Sequence, residues 1–194
     1  MAGELHFDQV TTRGGDSGDS SLFDGERRSK ADPVFGALGD LDELGSWLGV
    51  VRARHRDEWE GPLRDLDAEL YDVQTVLQRI SAMIACSPGT PAYARLERLG
   101  EEAVEALELR EARLLKVTRI EPVFVVPGAD AAAAELDYAR TLCRRGERRI
   151  VAVIRDPARH RPDLHPAQHY VNRLSDYLFV AARAAEQRAE AQAP

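Results

Sequence analysis

Cysteine, lysine and long apolar runs are all scarce in this 194-residue chain. Its two cysteines, Cys86 and Cys143, stand far apart and match no metal-ligand or C-x-x-C spacing. A disulfide framework, a zinc site and a dithiol redox motif are therefore excluded, and both residues read as reduced core thiols. No apolar run approaches the ~20 residues needed to cross a bilayer as a helix. The first residues, Met1-Ala2-Gly3-Glu4-Leu5-His6, lack a basic segment followed by an apolar stretch. No secretory signal is read there, so a cytoplasmic protein is expected. Net positive charge is missing as well, since the formal charge is −7, which argues against a general nucleic-acid surface. Lys30 and Lys116 are the only lysines among 26 Lys and Arg residues. The arginine bias reads as coding bias, and it makes the two positions that keep lysine stand out.

What is present suits a soluble globular protein: 44% apolar and 30% charged residues, in a length that buries one sizeable core. Residues 1–34 show little apolar periodicity and are rich in Gly, Ser, Asp and Arg, which predicts a long N-terminal loop. Beyond it, apolar residues recur at helical spacing and predict five helices, at about 35–56, 63–85, 92–116, 131–155 and 166–189. The β-branched, proline-punctuated residues 117–130 should be extended and packed, with Asp130 capping the fourth helix. The expected fold is all-α: a five-helix bundle (35–190) with a long N-terminal loop (1–34), one domain overall.

The fourth helix is the most informative element. Arg140, Arg144 and Arg148 fall at i, i+4 and i+8 and share a face. Leu136, Ala139, Cys143, Gly146, Ile150 and Val153 form a core-facing seam on the opposite side. Such a helix buries one side and lines up guanidinium forks on the other, and those forks suit a bidentate grip on phosphate oxygens. A solvated charged face, partly neutralised by Glu147, is the plainer alternative. The N-terminal loop holds a second phosphate-suited set. Its glycines, including Gly14, Gly15 and Gly18, let backbone N–H groups approach an anion. Hydroxyls and Lys30 add donors, and an aspartate could hold Mg²⁺. No Gly-Lys-Ser/Thr opens a helix, so this is not a Walker A loop.

Elsewhere the residues leave more than one reading open. Asp40, Asp42 and Glu43 suit the start of the first helix, and Asp42 could instead pair with an arginine of the fourth. Phe124 reads as plain core. His165 and His169 lie at i, i+4, yet no acidic or thiol partner completes a metal site, so none is assigned. Asn172 and Asp176 stand at inward positions of the last helix, as network members or ligand contacts.

Together the pieces resemble a known family. Thr12-Arg13-x-Gly15-Asp16-x-Gly18, Gly25-x-Arg27-x-x-Lys30 and Gly39-x-x-Asp42-Glu43-Leu44 look like the N-terminal signature of PduO-type ATP:cob(I)alamin adenosyltransferases. Phe124-Val125-Val126-Pro127-Gly128, Arg140-x-x-x-Arg144-Arg145-x-Glu147-Arg148 and Asn172-Arg173-Leu174-Ser175-Asp176-Tyr177 continue it in order. The resemblance implies a homotrimer of five-helix bundles with active sites between subunits, transferring the 5′-deoxyadenosyl group of ATP to cob(I)alamin. ATP and Mg²⁺ would be bound, with cobalamin as substrate. By the same resemblance Thr12, Arg13, Gly14, Gly15, Asp16, Gly18, Ser20, Ser21 and Lys30 would wrap the ATP phosphates. Arg144, Arg145, Glu147 and Arg148 would meet ATP from the helix, with Asn172 beside them. Arg140 would pair with Asp42 of the neighbouring subunit, and Phe124 and Phe179 would line the corrinoid pocket. A reductase and a cobalamin-dependent acceptor enzyme are further implied partners.

The chain departs from the family pattern at Gly14, Gly45, Ala129 and Gly146. Gly146 costs about 1 kcal/mol in helix propensity relative to alanine. Gly45 removes a polar side chain near Asp42, which motivates a competing reading: a non-catalytic corrinoid- or nucleotide-binding protein on the same scaffold. A purely structural bundle with solvated arginines is the third reading.

Overall fold

The structure is a computed structural model and describes residues 6–192. Five long helices carry it: α2 (Pro33–His55), α3 (Leu66–Ile84), α5 (Glu101–Leu115), α6 (Ala131–Arg155) and α7 (His165–Gln192). Two four-residue helices, α1 (Phe7–Val10) and α4 (Pro91–Ala94), and one antiparallel hairpin, β1 (Asp19–Ser21) with β2 (Arg27–Ser29), complete the regular structure apart from three short 3-10 turns. Residues 6–32 are thus not uniformly loop. Three-residue strands are too short to show a period of two, so the hairpin left no pattern in the sequence.

The helices form where the apolar spacing put them. Leu41, Leu44, Leu48 and Val51 of α2 are buried, as are Leu66, Leu70, Val73, Leu77, Ile80 and Ile84 of α3. Caps set the boundaries. The Asp32 carboxylate accepts from Val34 N–H (2.9 Å) with Pro33 at the first helical position, and Asp130 accepts from Ala133 N–H (3.0 Å). Gly128, at φ +121°, makes the left-handed turn that aims the chain into α6.

One expected helix is broken. Residues 92–116 hold α4, an irregular stretch and then α5, which starts after the extended Gly100. Thr90 caps α4 through Tyr93 N–H (3.2 Å), and the buried Leu99 anchors the irregular stretch against Met83. The glutamate-rich composition favours helix locally, but burying Leu99 bends the chain there.

Helix α6 lies at the centre, packed on α7 and on α2, while α5 packs on α7 and α3 on α2. Arg113 and Arg110 of α5 reach Glu69 and Asp72 of α3 and close the ring. The whole predicted seam of α6 is buried, from Leu136 to Val153. Gly146 sits where α6 approaches α2: a Cβ there would lie 3.2 Å from Leu41 Cδ2. The propensity lost at this glycine is thus offset by close helix contact. Burial raises the Cys143 thiol well above its ordinary value and keeps it protonated, donating to the Val171 carbonyl (3.1 Å).

The segment 117–130 corrects a second expectation. It is irregular, and only its start packs: Thr118 is buried, whereas Val123, Phe124 and Val126 are exposed to 65%, 104% and 85%. Phe124 is not core.

Candidate active site

Two rows of arginine leave α6 on different sides. Arg145 pairs with Glu43 and lies 3.3 Å from Asp40, and Arg149 lies 3.4 Å from the second Asp40 oxygen. Among the described residues, Asp40 and Glu43 are the α2 carboxylates that pair with the arginine helix, and Asp42 is not among them. Asp42 instead lines a cavity of about 480 Å³ between α2 and α3, with Gly45, Ser46, Gln74 and Gln78. The missing side chain at Gly45 therefore opens the wall beside Asp42, and nothing within 4 Å would obstruct one.

The second row is Arg140, Arg144 and Arg148. Arg140 and Arg144 line a separate cavity of about 340 Å³, walled by Leu115, Ile120, Phe179 and Val180 and bearing Glu111 and Asp176. Phe179 and both arginines are thus brought together. Asp176 is exposed at this cavity and does not point into the core as its helical position suggested. Burial raises the Glu111 carboxyl, and the neighbouring Asp176 charge adds to it. Arg148 donates to the Arg144 carbonyl (2.9 Å). Among the described residues, no carboxylate lies within ion-pair distance of Arg144 or Arg148. Glu147 accepts from Asn172 Nδ2 (3.1 Å), so this expected pair does meet across α6 and α7.

The N-terminal loop is folded tightly on itself. Arg13 (φ +56°) and Gly18 (φ +86°) turn the chain, and Gly14 N–H meets Thr12 Oγ1 at 3.4 Å. Lys30 Nζ donates to the Gly15 carbonyl (2.9 Å) and Arg27 to that of Gly14 (3.0 Å). A Cβ on Gly15 would lie 2.8 Å from Lys30 Nζ, so the glycine is what lets the lysine lie across the loop. Ser20 and Ser21 sit on β1, opposite Arg28 and Arg27. Asp16 is exposed. Among the described residues, no hydrogen bond or ion pair joins residues 12–30 to Arg140, Arg144 or Arg148.

Asp137 and Arg183 were not singled out in the sequence. Asp137 lies three residues before Arg140, a spacing that could have found it. His165 and His169 stack 6.4 Å apart, and no group of three His, Cys, Asp or Glu residues among the described residues is arranged to hold a metal. None of the described helices is long and apolar enough to cross a membrane.

Among the described residues, an arginine fork without an acidic partner thus stands beside an apolar-walled cavity, a combination with the chemistry to take an anionic group next to an apolar one. Residues 10–185 match the model of the family described as cobalamin adenosyltransferase. A corrinoid adenosyltransferase from Citrobacter freundii is 38% identical over 92% of this chain and 95% of its own length. One from Bacillus subtilis is 35% identical over 93% of this chain and 88% of its own. A variant PduO-type ATP:corrinoid adenosyltransferase from Lactobacillus reuteri, solved complexed with cobalamin and ATP, superposes with a TM-score of 0.81 at 28% identity, covering 93% and 92% of the two chains. The chain belongs to the cobalamin adenosyltransferase family.

Proposed function

We propose that this chain transfers the 5′-deoxyadenosyl group of ATP to the cobalt of cob(I)alamin, forming adenosylcobalamin and releasing triphosphate. Family membership over nearly the whole chain supports the reaction. The observation that carries the reading at the site is Arg144, free of any acidic partner among the described residues and set beside Phe179 in a cavity with apolar walls.

The reaction is an in-line displacement. The cobalt(I) electron pair forms the Co–C5′ bond, the C5′–O bond breaks, and the triphosphate leaves with the electron pair of that broken bond. So reactive a nucleophile needs no protein base. The protein must align C5′ with the metal and stabilise charge on the leaving phosphates. In this reading Arg144 and Arg148 stabilise the triphosphate from α6, Arg145, held by Glu43 and Asp40, meets ATP from the α2 side, and Glu147 with Asn172 orients the nucleoside. Residues 1–34 form an ATP-binding loop of the same domain as the 35–190 bundle, with Thr12, Arg13, Gly14, Gly15, Asp16, Gly18, Ser20, Ser21 and Lys30 on the phosphates. Mg²⁺ would arrive with the triphosphate, whose oxygens supply part of its ligand set while waters complete it, as is usual for this hard cation.

Phe124 and Phe179 take the corrinoid. An apolar ring over its lower face excludes water and the corrinoid's own base, which makes cobalt(II) easier to reduce. Asp42 and Arg140 sit on different cavities of one chain. That separation supports a homotrimer in which Arg140 of one subunit meets Asp42 of the next. A reductase and a cobalamin-dependent acceptor enzyme are the partners such a reaction needs upstream and downstream. A cytoplasmic location suits them.

An anaerobic spectrum of cob(I)alamin with Mg-ATP tests the reaction. The expected result is conversion to adenosylcobalamin with one inorganic triphosphate released per turnover. Binding of cob(II)alamin with no transfer would favour the non-catalytic reading, which the open wall at Gly45 motivates.

A further inference from the structure

Beneath the Arg140–Arg144 cavity lies a charged cluster with no role in the chemistry above. Asp137 is 4% exposed and takes two guanidinium groups. One is Arg183 of α7, itself 5% exposed, at 2.5 Å. The other is Arg140, whose Nε lies 3.3 Å from the second carboxylate oxygen. Arg183 also reaches Glu186 (2.9 Å), and its guanidinium carbon stands 5.3 Å above the Phe179 ring. A single carboxylate is thereby tied to Arg140 directly and to Phe179 through Arg183.

Stability does not account for such a cluster. Taking an ion pair out of water costs desolvation that apolar side chains of similar volume avoid. The surrounding α6–α7 interface is apolar, from Ala133 and Leu136 to Val180 and Ala184. What the cluster does provide is geometry. Asp137 binds Arg140 through Nε, and among the described residues neither terminal nitrogen of this cavity-lining arginine has a hydrogen-bond partner. A guanidinium on a long flexible stem is otherwise free to swing, and a fixed fork loses less entropy on meeting a carboxylate or ligand.

We infer that Asp137 and Arg183 are positioning residues for corrinoid binding, holding the Arg140 fork and the Phe179 ring at the cavity wall from beneath. The inference rests on the proposed placement of Arg140 and Phe179 at the corrinoid.

Asp137→Asn keeps the shape and removes the charge. The expected result is a corrinoid KM raised about tenfold, an ATP KM within about twofold, and a smaller loss of cob(II)alamin affinity in an Arg140→Ala background, because coupled residues are non-additive. Should the asparagine variant not fold, Arg183→Lys retains the charge but not the fork and should raise the corrinoid KM in the same direction. The absorbance-monitored Kd for cob(II)alamin should weaken in parallel and reads the effect even without turnover. Failure of the wild type to make adenosylcobalamin would overturn the proposed function separately. An equal rise of both KM values, the same corrinoid effect with and without Arg140, or a lowered Tm with unchanged KM and Kd would overturn the positioning role.

Discussion

The two arginine rows of α6 are one residue type on one helix, yet they face opposite circumstances. Arg145 and Arg149 look towards α2, where Asp40 and Glu43 neutralise them within the chain. Arg140 and Arg144 look into a cavity, where only Arg140 has an acidic partner, and that partner holds it from behind. The difference follows from periodicity: positions 140, 144 and 148 share one face, while 145 and 149 lie about 100° further round. The first row ties helices together, whereas Arg144 and Arg148 of the second have no acidic partner among the described residues. Net composition could not have told them apart, since every arginine counts alike there whichever row it belongs to.

The comparison breaks most sharply if Arg144 is removed. Arg144→Ala should lower kcat/KM for ATP roughly 10²-fold, the scale for losing one donor to developing charge, with no fall in Tm. Thermal melting alongside ATP-dependent kinetics checks both halves. A comparable fall in Tm would mean that the open row is structural after all.

A smaller effect belongs to Phe124. Because its ring is exposed in the isolated chain, Phe124→Ala should leave the melting curve unchanged. Turnover starting from cob(II)alamin and a weak reductant should slow about tenfold, while turnover from pre-reduced cob(I)alamin stays near wild type. Equal rates from cob(II)alamin in variant and wild type would remove the lower-face role.

The smallest change concerns the paired row. Arg145→Ala breaks half-exposed ion pairs, worth up to about 1 kcal/mol. It should lower Tm by a few degrees, roughly the size scaling for a domain of this length. Its effect on the ATP KM should be smaller than that of Arg144→Ala. Kinetics in which Arg145→Ala matches Arg144→Ala, with no change in Tm, would erase the distinction between the rows.

Much of the bundle was legible because burial obeys helical periodicity. The α6 seam from Leu136 to Val153 and the α3 run from Leu66 to Ile84 are buried as their spacing required. The hairpin at 19–29 was not legible, since its strands are too short for a period and its turns depend on single residues such as Gly18 and Gly25 at positive φ. The gap between α4 and α5 was hidden by helix-favouring residues that yield to the burial of Leu99. Phe124 was misread from its neighbours alone. A β-branched, apolar stretch looks like core, and only its likeness to the family motif placed it at a ligand. The pairing of Arg145 with Glu43 spans 102 residues, beyond any local rule. Asp137 was within reach, because an acid three residues before an arginine on a helix is a local signal.

In the proposed homotrimer each chain carries separated parts of a shared site. Asp42 and Arg140 line different cavities, and no bond among the described residues links the N-terminal loop to Arg140, Arg144 or Arg148. Subunit complementation tests this most directly. Asp42→Ala and Arg140→Ala chains, each nearly inactive alone, are coexpressed with different tags and copurified as mixed oligomers. In a closed ring with head-to-tail interfaces, random mixing restores one fully native pairing in about every four sites, so activity should return to about a quarter of wild type. Activity no higher than that of the parent variants, in oligomers shown to contain both chains, would contradict the shared site.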